Sequence, residues 1–221
     1  LARKLSGIRD QHAAVETLEK LQLKYKNKPL YQDIKSLILS IELTENKEES
    51  TRLIHEFKND INSSFSRINT WEITSKGFDA ISGGLRKTYT RGRNAMRQAF
   101  ISPTAENYHE WRKRVKYHYY HLELLIPVWR RIVKAHTNEV HSLSEKLGYD
   151  HDLSLLSESL NSSSFKELDD KTNQKILDAV MKEQSKLRRD IGILGKKIYA
   201  EKPITLVTRY ARWWDIWEKE R

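Results

Sequence analysis

The 221-residue chain contains no cysteine, only four prolines and only eight glycines. Without cysteine it has no disulfide and no thiolate metal site, which fits a reducing compartment. So little proline and glycine leaves few places where a helix must stop. No apolar run reaches the roughly 18 residues of a membrane span. The opening LARKLSGIRD lacks the pattern of a signal peptide. The period-two alternation of half-buried strands is missing as well. Negative charge is the scarcer sign. Forty Lys and Arg stand against thirty Asp and Glu, giving a formal charge of +10 and a pI near 9.6. Such a field attracts polyanions, whether nucleic acid, anionic membrane or polyphosphate, although a merely soluble basic domain has the same bulk numbers.

What is present reads as helix nearly throughout, so the expected class is all-α. Helices are expected at about 2–24, 30–43, 48–61, 75–100, 104–135, 138–160 and 170–200. NKP at Asn27–Pro29 and KP at Lys202–Pro203 are breaks. SPT at Ser102–Thr104, with Glu106 following, is a helix start. Asn161–Ser164 is a loop by composition, and the aromatic segment LVTRYARWWDIW closes the chain. Polar residues at Asn62–Ser66 and Asn69–Thr70 place a joint near residue 70, dividing the chain into a first helical half, 1–70, and a second, 71–221. LSGIRDQHAAVETL (Leu5–Leu18) aligns with LGYDHDLSLLSESL (Leu147–Leu160), matching Leu5 with Leu147, Asp10 with Asp152, Glu16 with Glu158 and Leu18 with Leu160. If this is a repeat, the basic helix before the second copy has its counterpart upstream of Leu1.

That basic helix, YHEWRKRVKYHYYHLELLIPVW (Tyr108–Trp129), separates its chemistry by helical phase. At about 100° per residue, Trp111, Val115, Leu122, Leu125 and Trp129 share an apolar face. His109, Lys113, Lys116 and Tyr120 lie opposite, with Arg112 at the flank. No acid stands between Arg112 and Lys116 to dilute the charge. Arg112 offers a planar fork for bidentate phosphate contact, Lys113 and Lys116 are mobile point charges, and His109 can donate a hydrogen bond. A second row, Arg86, Arg93 and Arg97 with Tyr89 beside it, lies within about 40° on one face of the preceding helix. Two such neighbours are expected to pack antiparallel, so the rows would face each other across a groove. A weaker stripe, Lys182, Lys186, Arg189 and Lys196 with Lys202 beyond it, fits a solvated face as readily, and Gly192 and Gly195 lie near Arg188 for close helix packing. Arg9 belongs to the first-half segment of the repeat.

Catalytic groups do not assemble. Asp150, His151 and Asp152 are consecutive, and helical neighbours point about 100° apart, so they cannot converge on one metal ion. His118 reads as a core histidine, and His121, His136 and His141 have no evident partner. There is no phosphate-binding Gly-rich loop, dinucleotide turn or GxSxG elbow, nor the ExExK pattern of triphosphate tunnel enzymes. No metal, cofactor or enzymatic activity is expected.

HEWRKRVKYHYYHLELL (His109–Leu125) resembles the CHAD family, the conserved histidine α-helical domain. YTRGRNAM (Tyr89–Met96), LGYDHDLSLL (Leu147–Leu156), GKKIYAEKP (Gly195–Pro203) and the first-half RDQHAAVETL extend the resemblance over essentially the whole chain. The resemblance implies two pseudo-symmetric antiparallel four-helix bundles, here with the first truncated at its N-terminus. It further implies a basic groove that binds long-chain inorganic polyphosphate, and association with polyphosphate granules. Carried over by position, His109, Arg112, Lys113, Lys116, Tyr89 and Arg93 belong to that lining. Arg86, Arg97, Arg189, Lys196, Lys202 and Arg9 complete the candidate set. The expected partner is polyphosphate in the cytoplasm, with no membrane. RNA or DNA is the rival polyanion, a metal-dependent polyphosphatase a further rival, and an acidic protein partner the last.

Overall fold

A computed structural model describes residues 6–43, 47–68, 70–72, 74–162 and 168–221, without the side chains of 6–9, 47–50, 63, 64 and 66. Within them run α1 (Ser6–Lys24), α2 (Leu30–Leu43), α3 (Lys47–Ile68), α4 (Asp79–Ile101), α5 (Ala105–Leu125), α6 (Arg130–Asn161), α7 (Asp170–Ile198) and α8 (Pro203–Lys219). A 3₁₀ turn, Ile126–Trp129, separates α5 from α6. The described residues hold no strand, so the fold is all-α.

Three boundaries differ from expectation, each for a local reason. The helix expected to run through residue 135 stops at Leu125, because Pro127 cannot donate to the preceding turn and the chain tightens into 3₁₀ there. From Arg130 the chain is helical without a break to Asn161, so the gap expected near Asn138 does not exist. α3 runs to Ile68 rather than Ile61. Phe65 and Ile68 continue the i, i+4, i+7 apolar spacing begun at Ile61, and the polar residues between them do not interrupt it. The remaining signals hold: Thr104 caps α5, its Oγ1 accepting from the Asn107 N–H at 3.3 Å, and Pro203 opens α8. Of the Asn161–Ser164 loop, residues 163–164 lie outside the described residues, as does Leu5 of the repeat.

The helices form two compact units that do not coincide with the halves 1–70 and 71–221. One joins Leu1–Glu72 to Asp152–Ser185, the other joins Ile73–His151 to Lys186–Arg221. α6 and α7 are long enough to contribute to both units, so a cut placed where linker residues stand near residue 70 finds only one of the crossings.

In the first unit Leu18 and Leu21 of α1, Ile34 and Leu37 of α2, Leu156 and Leu160 of α6, and Ile176 and Val180 of α7 are buried. At its edge Lys24 is ion-paired with Glu183, and the Gln184 amide donates to Ser154 Oγ at 2.8 Å.

The second unit is centred on aromatic side chains. α4 and α5 pack antiparallel, with Gly84 beside His121, Tyr89 against His118 at 5.3 Å and Phe100 edge-on to Trp111 at 5.7 Å. α7, and Tyr199 just beyond it, come close to both because two glycines admit them. A Cβ on Gly195 would lie 2.6 Å from the Trp111 ring, and one on Gly92 would land on the Tyr199 hydroxyl. The small-residue reading thus holds for Gly195, while Gly192 makes only ordinary contact with Phe100. Asp150 of α6 is fully buried and is held in a fork by Arg188 of α7, through Nε at 2.7 Å and Nη2 at 3.2 Å. The Arg188 Nη1 donates to the Pro103 carbonyl at 2.9 Å, and the guanidinium lies 4.1 Å from the Tyr108 ring centre. One ion pair thereby ties α6, α7 and the start of α5 together.

Candidate anion-binding surface

Tyr108, Trp111, Val115, His118, Leu122 and Leu125 form the buried face of α5, which leaves the cationic residues outward or at the flank. What this row adjoins is α6. The His109 ring lies 4.5 Å from that of His151, a Cβ on Gly148 would sit 3.4 Å from Arg112 Nη2, and the Tyr119 ring lies 5.0 Å from that of His141. The Arg112 guanidinium is thus packed against Gly148, where a Cβ would make ordinary contact and only a larger side chain would collide. The Arg112 Nε is enclosed and has no hydrogen-bond acceptor among the described residues.

Lys113 and Lys116 are exposed. Lys113 is paired at 2.5 Å with Glu110, which also pairs with Arg114. Lys113, then Arg114, hold the Glu110 carboxyl below the usual carboxylate range. The absence of acid between Arg112 and Lys116 did not make the row unpaired, because Glu110 reaches forward one turn. No described residue pairs with Lys116.

The expected groove between two facing cationic rows is not what these contacts describe. α4 and α5 do pack antiparallel, but the seam between them holds Tyr89, His118, Phe100 and Trp111. Of the α4 residues, Arg86 and Arg97 are exposed and Arg93 is half-buried. Tyr89 belongs to the core, with no exposed surface. Its hydroxyl donates to the carbonyls of Ile198 and Glu201, each at 3.1 Å, and burial, with Glu201 nearby, pushes its pKa up to about 12. It positions Arg93's helix rather than offering a surface to a ligand. Arg189 and Lys196 of α7 and Lys202 before α8 are exposed, with Lys196 Nζ 5.7 Å from the Phe100 ring centre. The side chain of Arg9 lies outside the described residues.

The histidines divide by burial. His118 is fully enclosed with no hydrogen-bond partner at either ring nitrogen among the described residues, and desolvation, helped by the nearby His136 and His121, pushes its pKa down to about 3. His136 is pushed down to about 4, chiefly by burial and then by Arg209, and its Nδ1 contacts the Tyr210 hydroxyl at 3.0 Å. His121 Nδ1 donates to the Tyr117 carbonyl at 2.8 Å, and His141 lies 4.0 Å from Glu145. Asp150 and His151 do not converge, one being taken by Arg188 and the other lying against His109. Among the described residues no three acidic or histidine side chains group to hold a metal ion, and no helix is long and apolar enough to cross a membrane. Trp129, expected on the apolar face, is 48% exposed, because the 3₁₀ turn takes it off the α5 register and sets it edge-on to Trp213 at 5.1 Å.

Three of the residues that shape this surface were not in the candidate set: Glu110 as counter-ion, Gly148 against Arg112, and His151 beside His109. Glu110 was legible as an i,i+3 partner of Lys113. The other two depend on how α6 lies along α5. No curated protein and no solved structure matches the chain. The family model described as the CHAD domain matches residues 1–161, a stretch that includes α5, the cationic row and the α6 residues it packs on, and the chain belongs to the CHAD family.

Proposed function

We propose that this chain is a non-catalytic binding domain for long-chain inorganic polyphosphate, held along α5 by Arg112 and Lys116, with Lys113 and His109 beside them and the α4 arginines as outer contacts. The observation that carries the reading is Arg112. Its guanidinium is seated over Gly148, its Nε is enclosed, and no acceptor among the described residues satisfies that donor. A guanidinium partly withdrawn from water without an acceptor is costly, and an anion bound against it lowers that cost through its charge. Lys116 follows one turn further along, a rise of about 6 Å, so successive cations meet successive phosphates of a linear chain. The CHAD family's known association with polyphosphate supports the same choice of anion. Binding of this kind would gather the protein on polyphosphate granules.

Affinity should come from many ion contacts and counter-ion release, by analogy with nucleic acid. It should therefore rise with polymer length and fall steeply with salt. The test is a titration with polyphosphate of defined lengths at two salt concentrations, for the natural chain and for Arg112→Gln and Lys116→Glu. Each variant should lose about tenfold in affinity, the equivalent of one charge-assisted contact, with helicity intact. Undiminished binding by both variants sinks the assignment.

One observation favours a second reading, single-stranded RNA. Tyr117 and Tyr120 are about half exposed, and Tyr120 shares the face of His109, Lys113 and Lys116, where a base could stack. RNA that displaces long-chain polyphosphate at equal phosphate concentration would favour this reading.

A further inference from the structure

We propose that α8 carries a second ligand site, separate from the α5 surface, that takes one phosphate or carboxylate group borne on an apolar body. The site is an open cavity of about 530 Å³ lined by Ile204, Thr205, Thr208, Arg209, Arg212 and Trp213. These residues lie beyond the stretch matched by the family model, and the polyphosphate reading does not use them.

The lining has two kinds of wall. Thr205, Thr208, Arg209 and Arg212 recur on one face of the helix and present two hydroxyls and two guanidiniums within about two turns. No acidic residue lines the cavity. Arg209 shares its charge with Glu201 through Nη2 at 3.0 Å, whereas no described residue pairs with Arg212. The surplus is one positive charge, which suits one anionic group and contrasts with the extended row on α5. Ile204 and the Trp213 indole supply the apolar wall. A bare phosphate would meet only the hydroxyls and guanidiniums, whereas an anion borne on an apolar body would also cover Ile204 and the Trp213 indole.

The wall is also held in place. The Arg209 guanidinium lies 4.9 Å from the Trp213 ring centre and 5.5 Å from that of Tyr210. Trp213 is edge-on to Tyr210 at 5.1 Å and to Trp129 at 5.1 Å. Tyr210 is fully buried and its hydroxyl meets His136. Side chains pinned on several sides lose little further entropy on binding, so the contact energy is retained as affinity.

The anion could be that of a soluble phosphate ester or of a lipid headgroup, and the experiment separates the two. The full chain, with ¹⁵N-labelled indoles, is titrated with phenyl phosphate and, separately, with inorganic phosphate. Phenyl phosphate should shift the Trp213 indole signal saturably, inorganic phosphate should bind about tenfold more weakly, and Arg212→Gln should weaken phenyl phosphate by about tenfold. Arg212 is exposed, so this variant should keep its fold, which circular dichroism checks. Co-sedimentation with phosphatidic acid vesicles that Arg212→Gln abolishes would make the apolar body an acyl chain; without it, the source is a soluble ester. A Trp213 signal that phenyl phosphate does not shift saturably, or a shift that survives Arg212→Gln, overturns the site.

Discussion

The cationic row of α5 and the stripe on α7 carry similar charge, and they differ in what lies beneath them. Arg112 is seated on Gly148 and His109 lies against His151. Arg189 and Lys196 stand in solvent, Lys196 with only a distant ring for company. A cation free in solvent keeps its hydration and its rotamer freedom, and both must be given up on binding. A cation already held by packing has surrendered part of that freedom in the folded protein. The proposed assignment to α5 therefore rests on support from neighbouring helices more than on the count of charges.

The contrast can be broken at its foundation. Asp150→Asn leaves Arg188 without its carboxylate between α6, α7 and the start of α5, and should cost about 3 kcal/mol or more, read as a lowered urea midpoint. A variant as stable as the natural chain would mean that the fork does not hold α6 beside α5. A pH series sharpens the same division of buried from exposed groups. His118 and His136 have folded pKa values of about 3 and about 4, below the ordinary 6.5. The unfolded chain therefore binds protons first as the pH falls. Stability is complete above pH 6.5 and declines as pH drops below it toward the folded values, by about 2 kcal/mol per histidine at pH 5. Urea midpoints at three pH values check this, and His136→Gln should flatten the decline.

Gly148→Val should displace Arg112 from its seat and lower polyphosphate affinity by about tenfold, without touching any charge. Equal affinity would show that the seat is irrelevant. The smallest effect is expected on the exposed stripe. Arg189→Glu and Lys196→Glu should each change affinity by no more than about twofold, and a loss matching that of Lys116→Glu would erase the distinction between the two surfaces.

Most helices were legible because their apolar residues recur at helical spacing and because Thr104, Pro29 and Pro203 punctuate them. Two boundaries are less legible: Pro127 ends α5 in a 3₁₀ turn within an apolar stretch, and the polar stretch Asn62–Ser66 lies inside a continuous helix. The buried face of α5 was visible in Trp111, Val115 and Leu122, and His118 was recognisable as core. Tyr89 was misplaced because a tyrosine next to arginines looks alike whether its hydroxyl meets a ligand or the carbonyls of residues more than a hundred positions away.

By itself the sequence determined an all-helical chain, its excess of positive charge, the two-sided chemistry of Tyr108–Trp129 and the family to which that pattern belongs, since these follow from local periodicity and composition. Tertiary structure alone decided which cations are supported. Whether Arg112 is seated, Lys113 neutralised or Lys196 left in water depends on how α6 and α7 pass α5, and that is set by the glycines admitting close approach and by the Asp150–Arg188 pair, which join residues far apart in the chain.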